Sequence, residues 1–200
     1  ATRRFSMDPI LGLVLGGMMV STLFQSGTST IKILADADNK LPQITFWLMG
    51  SFNVMNKAKL FSILIPIGAG FLILFLVRWQ LNVLSFGEDE ASSLGIKTKR
   101  IRSMVIIAST LITASCVSVC GMVGWVGLVI PHAGRALAGP DYRRLLPVCA
   151  ILGSTFLLLV DDVARTAFMV ELPIGILTSF IGVPFFMFIF KSGVNKGGSA

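Results

Sequence analysis

Five long apolar blocks alternate with polar stretches along the chain, at roughly Ile10–Phe24, Leu60–Val77, Met104–Val123, Leu145–Val160 and Leu172–Phe190. A helix that crosses a bilayer needs about 20 residues. Each block meets that length once the two short ones, the first and the fourth, recruit flanking residues. A sixth piece, Gly127–Ala138, is helical in character but reaches only about 18 Å at ~1.5 Å per residue, a half-length or tilted crossing. The pattern predicts an all-α, polytopic transmembrane helical bundle, with residues 1–200 forming a single domain.

The polar stretches carry their own signals. Gln25–Gln43, rich in Ser, Thr, Asp and Asn, reads as a long external loop, and "ITFWLMG" after it suits an interfacial aromatic belt. Arg78–Arg102 reads as a long internal loop containing "SFGEDEASSLGIKTKRIR". Here Gly87 precedes three acids, Glu88, Asp89 and Glu90, followed by Ala91, Ser92, Ser93, Leu94 and Gly95. That is a short helix with acids at its start, bases beyond it and a glycine stop. Small residues at four-residue spacing, Gly12 with Gly16 and Gly17 and Ala114 with Ser118, predict closely packed helix faces. In "GWVGLVIPHAGRALAGPDYRRLLP" (Gly124–Pro147), Pro131 removes a backbone donor and Gly124 and Gly127 loosen the turn before it. The chain is expected to break at Pro131, under cover of protein or a water-filled cavity, the alternative being a plain packing kink within a helix.

Composition sharpens the class. The chain is 54% hydrophobic, has a mean hydropathy of +0.83 and is only 14% charged, whereas soluble domains run near a quarter charged. Lys and Arg outnumber Asp and Glu by 17 to 10. No basic patch is interleaved with exposed aromatics, so nucleic acid is not the partner this surplus implies. It reports orientation instead, because cytoplasmic loops retain basic residues. With both termini inside, twelve of the 17 basic residues are internal and only Lys32, Lys40, Lys57, Lys59 and Arg165 are external; the reverse orientation inverts that ratio. Cys116, Cys120 and Cys149 sit inside apolar blocks without CxxC spacing and read as packing residues. The "ATRRFSMDP" opening resembles no cleavable signal and is compatible with the cut end of a longer chain; "GGSA" reads as a short flexible end.

Candidate chemistry is sparse. His132 is the only histidine, with no second His, paired Cys or near carboxylate, and is expected to make a structural hydrogen bond. Arg135, Arg143 and Arg144 read as cytoplasmic anchors around a tight "AGPDYRR" turn containing Gly139 and Asp141. Asp161 and Asp162 form a pair that a Mg²⁺-dependent, prenyltransferase-like membrane enzyme would use, but such an enzyme needs a second acidic motif. Asp161 and Arg165 stand at i, i+4, the spacing of a self-paired helix end; the alternative is that Arg165 reads an acidic partner outside. A secondary transporter would need an ionisable residue within a span, and the five long blocks lack one through their cores. No GxxxxGK[ST] pattern occurs, so ATP is not bound by that route.

"LGxxxxxxR" after the acidic loop, "GWVGLVIPHAGR", "GPDYRRLLP", "DDVART" and "ELPIGILTSFIGVPFF" together resemble the permease subunits of type II ABC importers, often called FecCD permeases. The resemblance runs from about Leu11 to Lys191 and covers the C-terminal part of a permease of about ten helices. It implies import of iron-siderophores, haem, cobalamin or related metal chelates across a bacterial or archaeal cytoplasmic membrane. The C-terminus is then cytoplasmic. The implied partners are a second permease copy, two ATPase subunits that bind the ATP, an external binding protein and membrane lipid. No cofactor, metal or catalytic residue of the chain's own is implied. By the same resemblance, Gly87–Gly95 is the ATPase-coupling helix, Arg165 docks the binding protein, and about Leu11 to Thr30 lines the pathway. Gly127, Pro131, His132, Arg135, Gly139 and Asp141 belong to a structural signature.

Overall fold

The computed structural model describes residues 9–53, 55–167 and 172–197, and the side chains of these except 9, 10, 13 and 188–197. All its regular structure is helical among the described residues, and the chain divides into two compact units, residues 1–45 and 46–200. The segments expected around Arg3, Arg4 and Glu171, and the side chains of Lys191 and Lys196, lie outside the described residues.

The first unit holds α1 (Pro9–Leu34) and the start of α2 (Lys40–Met49). α1 continues through Leu34, so the long external loop expected over Gln25–Gln43 shrinks to residues 35–39. The reason is local. The hydroxyls of Thr22, Ser26, Thr28 and Thr30 each donate to the carbonyl four residues back, at 2.9–3.0 Å, so polar residues that favour turns are satisfied inside the helix. Asp36 then makes the turn: its carbonyl accepts from the N–H groups of Lys40 and Leu41, and its carboxylate accepts from Asp38 N–H and the Asn39 side chain. Within this unit a Cβ built on Gly12, Gly16 or Gly17 would meet nothing within 4 Å, so the close packing expected there is not made by this part of the chain.

The second unit contains α3 (Lys57–Leu84), α4 (Glu88–Ser93), α5 (Thr98–Cys120), α6 (Val126–Ala138), α7 (Tyr142–Thr166) and α8 (Ile174–Gly197). Among the described residues α3, α5 and α7 are long and apolar enough to cross a membrane, with mean hydropathies of 2.7, 2.0 and 1.8 over their best windows. α6 and the described part of α8 are shorter apolar helices. α3 and α5 form a hairpin through α4. Its seam follows a seven-residue spacing on α3, where Ile63, Gly70 and Val77 are buried, the repeat of knobs-into-holes packing. At Gly70 a Cβ would lie 2.5 Å from an Ile112 side-chain carbon and 2.9 Å from the Ala108 carbonyl oxygen, so the missing side chain is what lets the helices meet. The small-residue contact is therefore Gly70 on Ala108, not the expected Ala114 and Ser118, which are both exposed. Ile130 and Gly134 of α6 pack on α7, where a Cβ at Gly134 would come 2.5 Å from the Cys149 sulfur.

Candidate functional site

The short helix α4 is built by its ends. Gly87 precedes it at φ 128, and three acids occupy its first turn, where the helix dipole favours them. It stops in a Schellman motif: Gly95 at φ 78 donates to the Ser92 carbonyl, and Ile96 N–H donates to the Ala91 carbonyl. A helix of six residues does not hold itself. α4 is held instead by Ala91, its one buried residue at 0% exposure, and by an ion pair from Glu88 to Arg102 on α5. That pair is half exposed on both sides and contributes little to stability. Asp89, Glu90, Ser92, Ser93 and Leu94 are left facing solvent, with Phe86 exposed just before them. The predicted segment thus forms one acidic and apolar knob between two spanning helices.

Beside the knob lies a clamp that sequence reasoning found only in half. Asp141 caps α7, its carboxylate accepting from Arg143 N–H at 2.9 Å and from the Asn82 side-chain amide at 2.5 Å. The Asn82 side-chain oxygen, Oδ1, in turn accepts from Tyr142 N–H at 2.8 Å. The last turn of α3 is thereby stapled to the first turn of α7. The Arg143 N–H and then the Asn82 amide hold the Asp141 carboxyl below its ordinary range, aided by the charges of Arg143 and Arg144 and opposed by desolvation. A depressed carboxyl contributes stability that is present above its unfolded value, about 3.9, and lost as pH falls through the folded one. Replacing Asp141 with Asn is therefore expected to lower the unfolding midpoint at neutral pH and to flatten its decline below about pH 4. Thermal unfolding of the full-length protein across that range measures both.

The expected break at Pro131 lies elsewhere. Pro131 sits inside α6, as Pro66, Pro147 and Pro184 sit inside α3, α7 and α8. Membrane helices tolerate proline where neighbouring groups satisfy the freed backbone. The helix breaks earlier, at residues 121–125. Gly121 adopts φ 72, ψ −163, and Trp125 adopts a left-handed φ of 67 before α6 begins. Gly127 is exposed; Gly139 ends α6 at φ 75, its N–H donating to the Arg135 carbonyl. His132 is exposed and its side chain makes no hydrogen bond with a described residue, so the structural bond expected of it is not seen.

At the break three segments meet backbone to backbone. Ser51 N–H donates to the Cys120 carbonyl at 2.8 Å, and Ile174 N–H donates to the Gly50 carbonyl at 2.9 Å. Helix ends of α5 and α8 that would otherwise be unsatisfied are thus paired with the chain after α2. A Cβ on Gly121 would fall 1.9 Å from the Trp47 carbonyl oxygen, and one on Gly175 would fall 2.3 Å from that of Met49. An open apolar groove of about 690 Å³ lies beside this junction, lined by Met49, Met122, Ile176, Ser179 and Val183 among others. Ser179 is the one polar side chain among its described lining residues, and its hydroxyl donates to the Gly175 carbonyl.

Asp161 and Arg165 come together at the end of α7, Nε to Oδ2 at 2.9 Å. Asp161 is thereby engaged by a cation. Among the described residues no three His, Cys, Asp or Glu side chains converge to hold a metal ion. Nothing in this donor set favours the Mg²⁺-dependent alternative.

Three apolar helices long enough to cross a membrane, with a short helix between two of them, describe a polytopic membrane protein. The match to the FecCD transport family covers residues 2–192, and the chain belongs to that family. It is 42% identical over 196 residues to the molybdate import system permease protein of Haemophilus influenzae, covering 98% of this chain and 58% of that protein. It is 36% identical over 189 residues to a protein of Helicobacter pylori described as an iron chelatin transport system permease, covering 94% of this chain and 58% of the relative. Among solved structures, it superposes with a TM-score of 0.87 and 43% identity on an inward-facing ABC transporter classed as metal-chelate type, over 94% of this chain and 61% of that one. The chain thus spans somewhat over half the length of these curated relatives.

Proposed function

We propose that the chain is the C-terminal part of the membrane-spanning permease of an ATP-driven importer, with residues 1–200 acting as one permease domain. The observation that carries this reading is α4, sunk on Ala91 between α3 and α5 with its acids and Leu94 outward. Such a knob suits mechanical engagement by a separate ATPase subunit, which binds the ATP. Two such subunits, a second permease copy and an external binding protein complete the proposed assembly, in a bacterial or archaeal cytoplasmic membrane with the C-terminus inside. The chain itself performs no covalent step. Cargo passes because the two states of the bundle contact it differently. An iron-siderophore or related metal chelate leads as cargo, and the molybdate relative makes an oxyanion the second choice.

Replacing Glu88, Asp89 and Glu90 with Ala in the full-length permease should weaken co-purification with the ATPase subunits. Unchanged assembly together with unchanged transport would remove α4 from this role. At the other end of the bundle, Asp161 holds Arg165 in register, where we propose that it reads an acidic group on the binding protein. Arg165→Glu should lower that affinity about tenfold at low salt, as expected when one charge of a rim pair is reversed. Affinity unmoved at low salt would leave Asp161–Arg165 as a self-paired helix end.

A further inference from the structure

Trp125 is the one non-glycine residue with positive φ among the described residues. Left-handed backbone strains a bulky side chain, and it persists where the surroundings over-determine it. The surroundings here are α8. Gly182 of α8 is buried against Trp125: a Cβ on it would lie 2.4 Å from the Trp125 Cβ and 2.7 Å from its Cγ. One turn further on, the Phe186 ring meets the Trp125 ring at 6.3 Å between centroids and a tilt of 57°. This tilted arrangement is attractive for two aromatic rings. Seven residues before Gly182, on the same side of α8, Gly175 approaches the Met122 carbonyl so closely that its Cβ would lie 3.1 Å away. The segment leading into α6 is therefore seated on α8 at two points about two turns apart, each admitting no larger residue than glycine.

From this geometry we propose that Trp125, notched into Gly182 and backed by Phe186, is a rigid joint that makes the start of α6 and the first turns of α8 move as one body. The proposal deepens the importer reading and rests on it. α6 leads through Gly139 to the Asn82–Asp141 clamp beside α4, while α8 borders the junction at the other end of α5. A displacement received near α4 is carried by α6 and passed at Trp125 to α8, without a hinge between them. Trp125 is a positioning residue: it touches no cargo in this scheme.

The test uses the full-length permease assembled with its ATPase subunits, with Cys116, Cys120 and Cys149 replaced by Ser. Spin labels on Leu128→Cys of α6 and Ile181→Cys of α8, both exposed, should keep their mutual distance to within about 2 Å between the nucleotide-free and ATP-bound states, because parts that move together keep their separation. A distance that changes further with nucleotide would show that α6 and α8 separate during the cycle, and would overturn the proposal. In parallel, Trp125→Gly relieves the backbone strain but empties the notch. It should lower uptake per ATP hydrolysed about tenfold, while Trp125→Phe retains it. Unchanged uptake per ATP in the glycine variant would equally overturn the joint. Failure of even the unmodified permease to bind or stimulate the ATPase subunits would instead refute the importer reading, so the two failures are distinct.

Discussion

Gly121→Ala is expected to destabilise the full-length protein by about 3 kcal/mol or more, the sum of a forbidden backbone conformation and an overpacked contact. The residue stands at φ 72, ψ −163, a region that L side chains avoid. Its missing Cβ would fall 1.9 Å from the Trp47 carbonyl oxygen and 3.1 Å from the Gly50 Cα. Neither neighbour yields easily, because Gly50 N–H is bonded to that same Trp47 carbonyl and the Gly50 carbonyl accepts from Ile174 at the start of α8. One methyl group thus opposes the ends of α2, α5 and α8 at once. Gly153→Ala is the control. Its Cβ would meet Ile130 at an ordinary 3.7 Å, and inside a helix the change should be neutral or stabilising by up to about 1 kcal/mol. Thermal unfolding in detergent compares the two directly.

The second large effect is expected at Ala91, where the readout is function rather than stability. Ala91→Leu places three more carbons where exposure is 0%, a change that costs about 1–3 kcal/mol in a packed site. The α3–α5 seam is made elsewhere, at Ile63, Gly70, Val77 and Ala108, and should survive. What moves is α4, which has only Ala91 and the half-exposed Glu88–Arg102 pair to seat it. Under the proposed function, transport per ATP should fall about tenfold or more while the bundle still folds. Uptake assays against ATPase rates separate this outcome from unfolding. Ala91→Gly keeps the space and should lose far less.

Part of this architecture was legible in advance. The order of the apolar blocks, the α4 boundaries, the glycine stop at Gly95 and the Asp161–Arg165 spacing all follow from local rules, which need only a few adjacent residues. α6 was anticipated to within one residue, because Ala138 is followed by a glycine and a proline. Where expectation failed, the missing information was non-local or ambiguous. Residues 25–34 are polar enough for a loop, and only the back-bonding hydroxyls of α1 show how the helix absorbs them. Pro131 drew attention because proline is conspicuous, while the true break depends on Gly121 meeting Trp47, a contact across more than seventy residues of chain. Asn82 was invisible for the same reason: its partners, Asp141 and Tyr142, lie some sixty residues away. Of the small-residue pairs, sequence spacing could not tell Gly70, which touches α5, from Gly12 and Gly16, which meet nothing within their own unit.

The central claim is that this family member couples an external ATPase to passage of cargo through its helices. ATP hydrolysis by the full-length permease, reconstituted in proteoliposomes with its ATPase subunits, tests it most directly, with and without cargo-loaded binding protein. The account predicts that loaded binding protein accelerates hydrolysis and that Arg165→Glu abolishes the acceleration while leaving the basal rate intact. A permease that assembles with no ATPase subunit, or a complex whose hydrolysis and cargo uptake ignore each other, would contradict it.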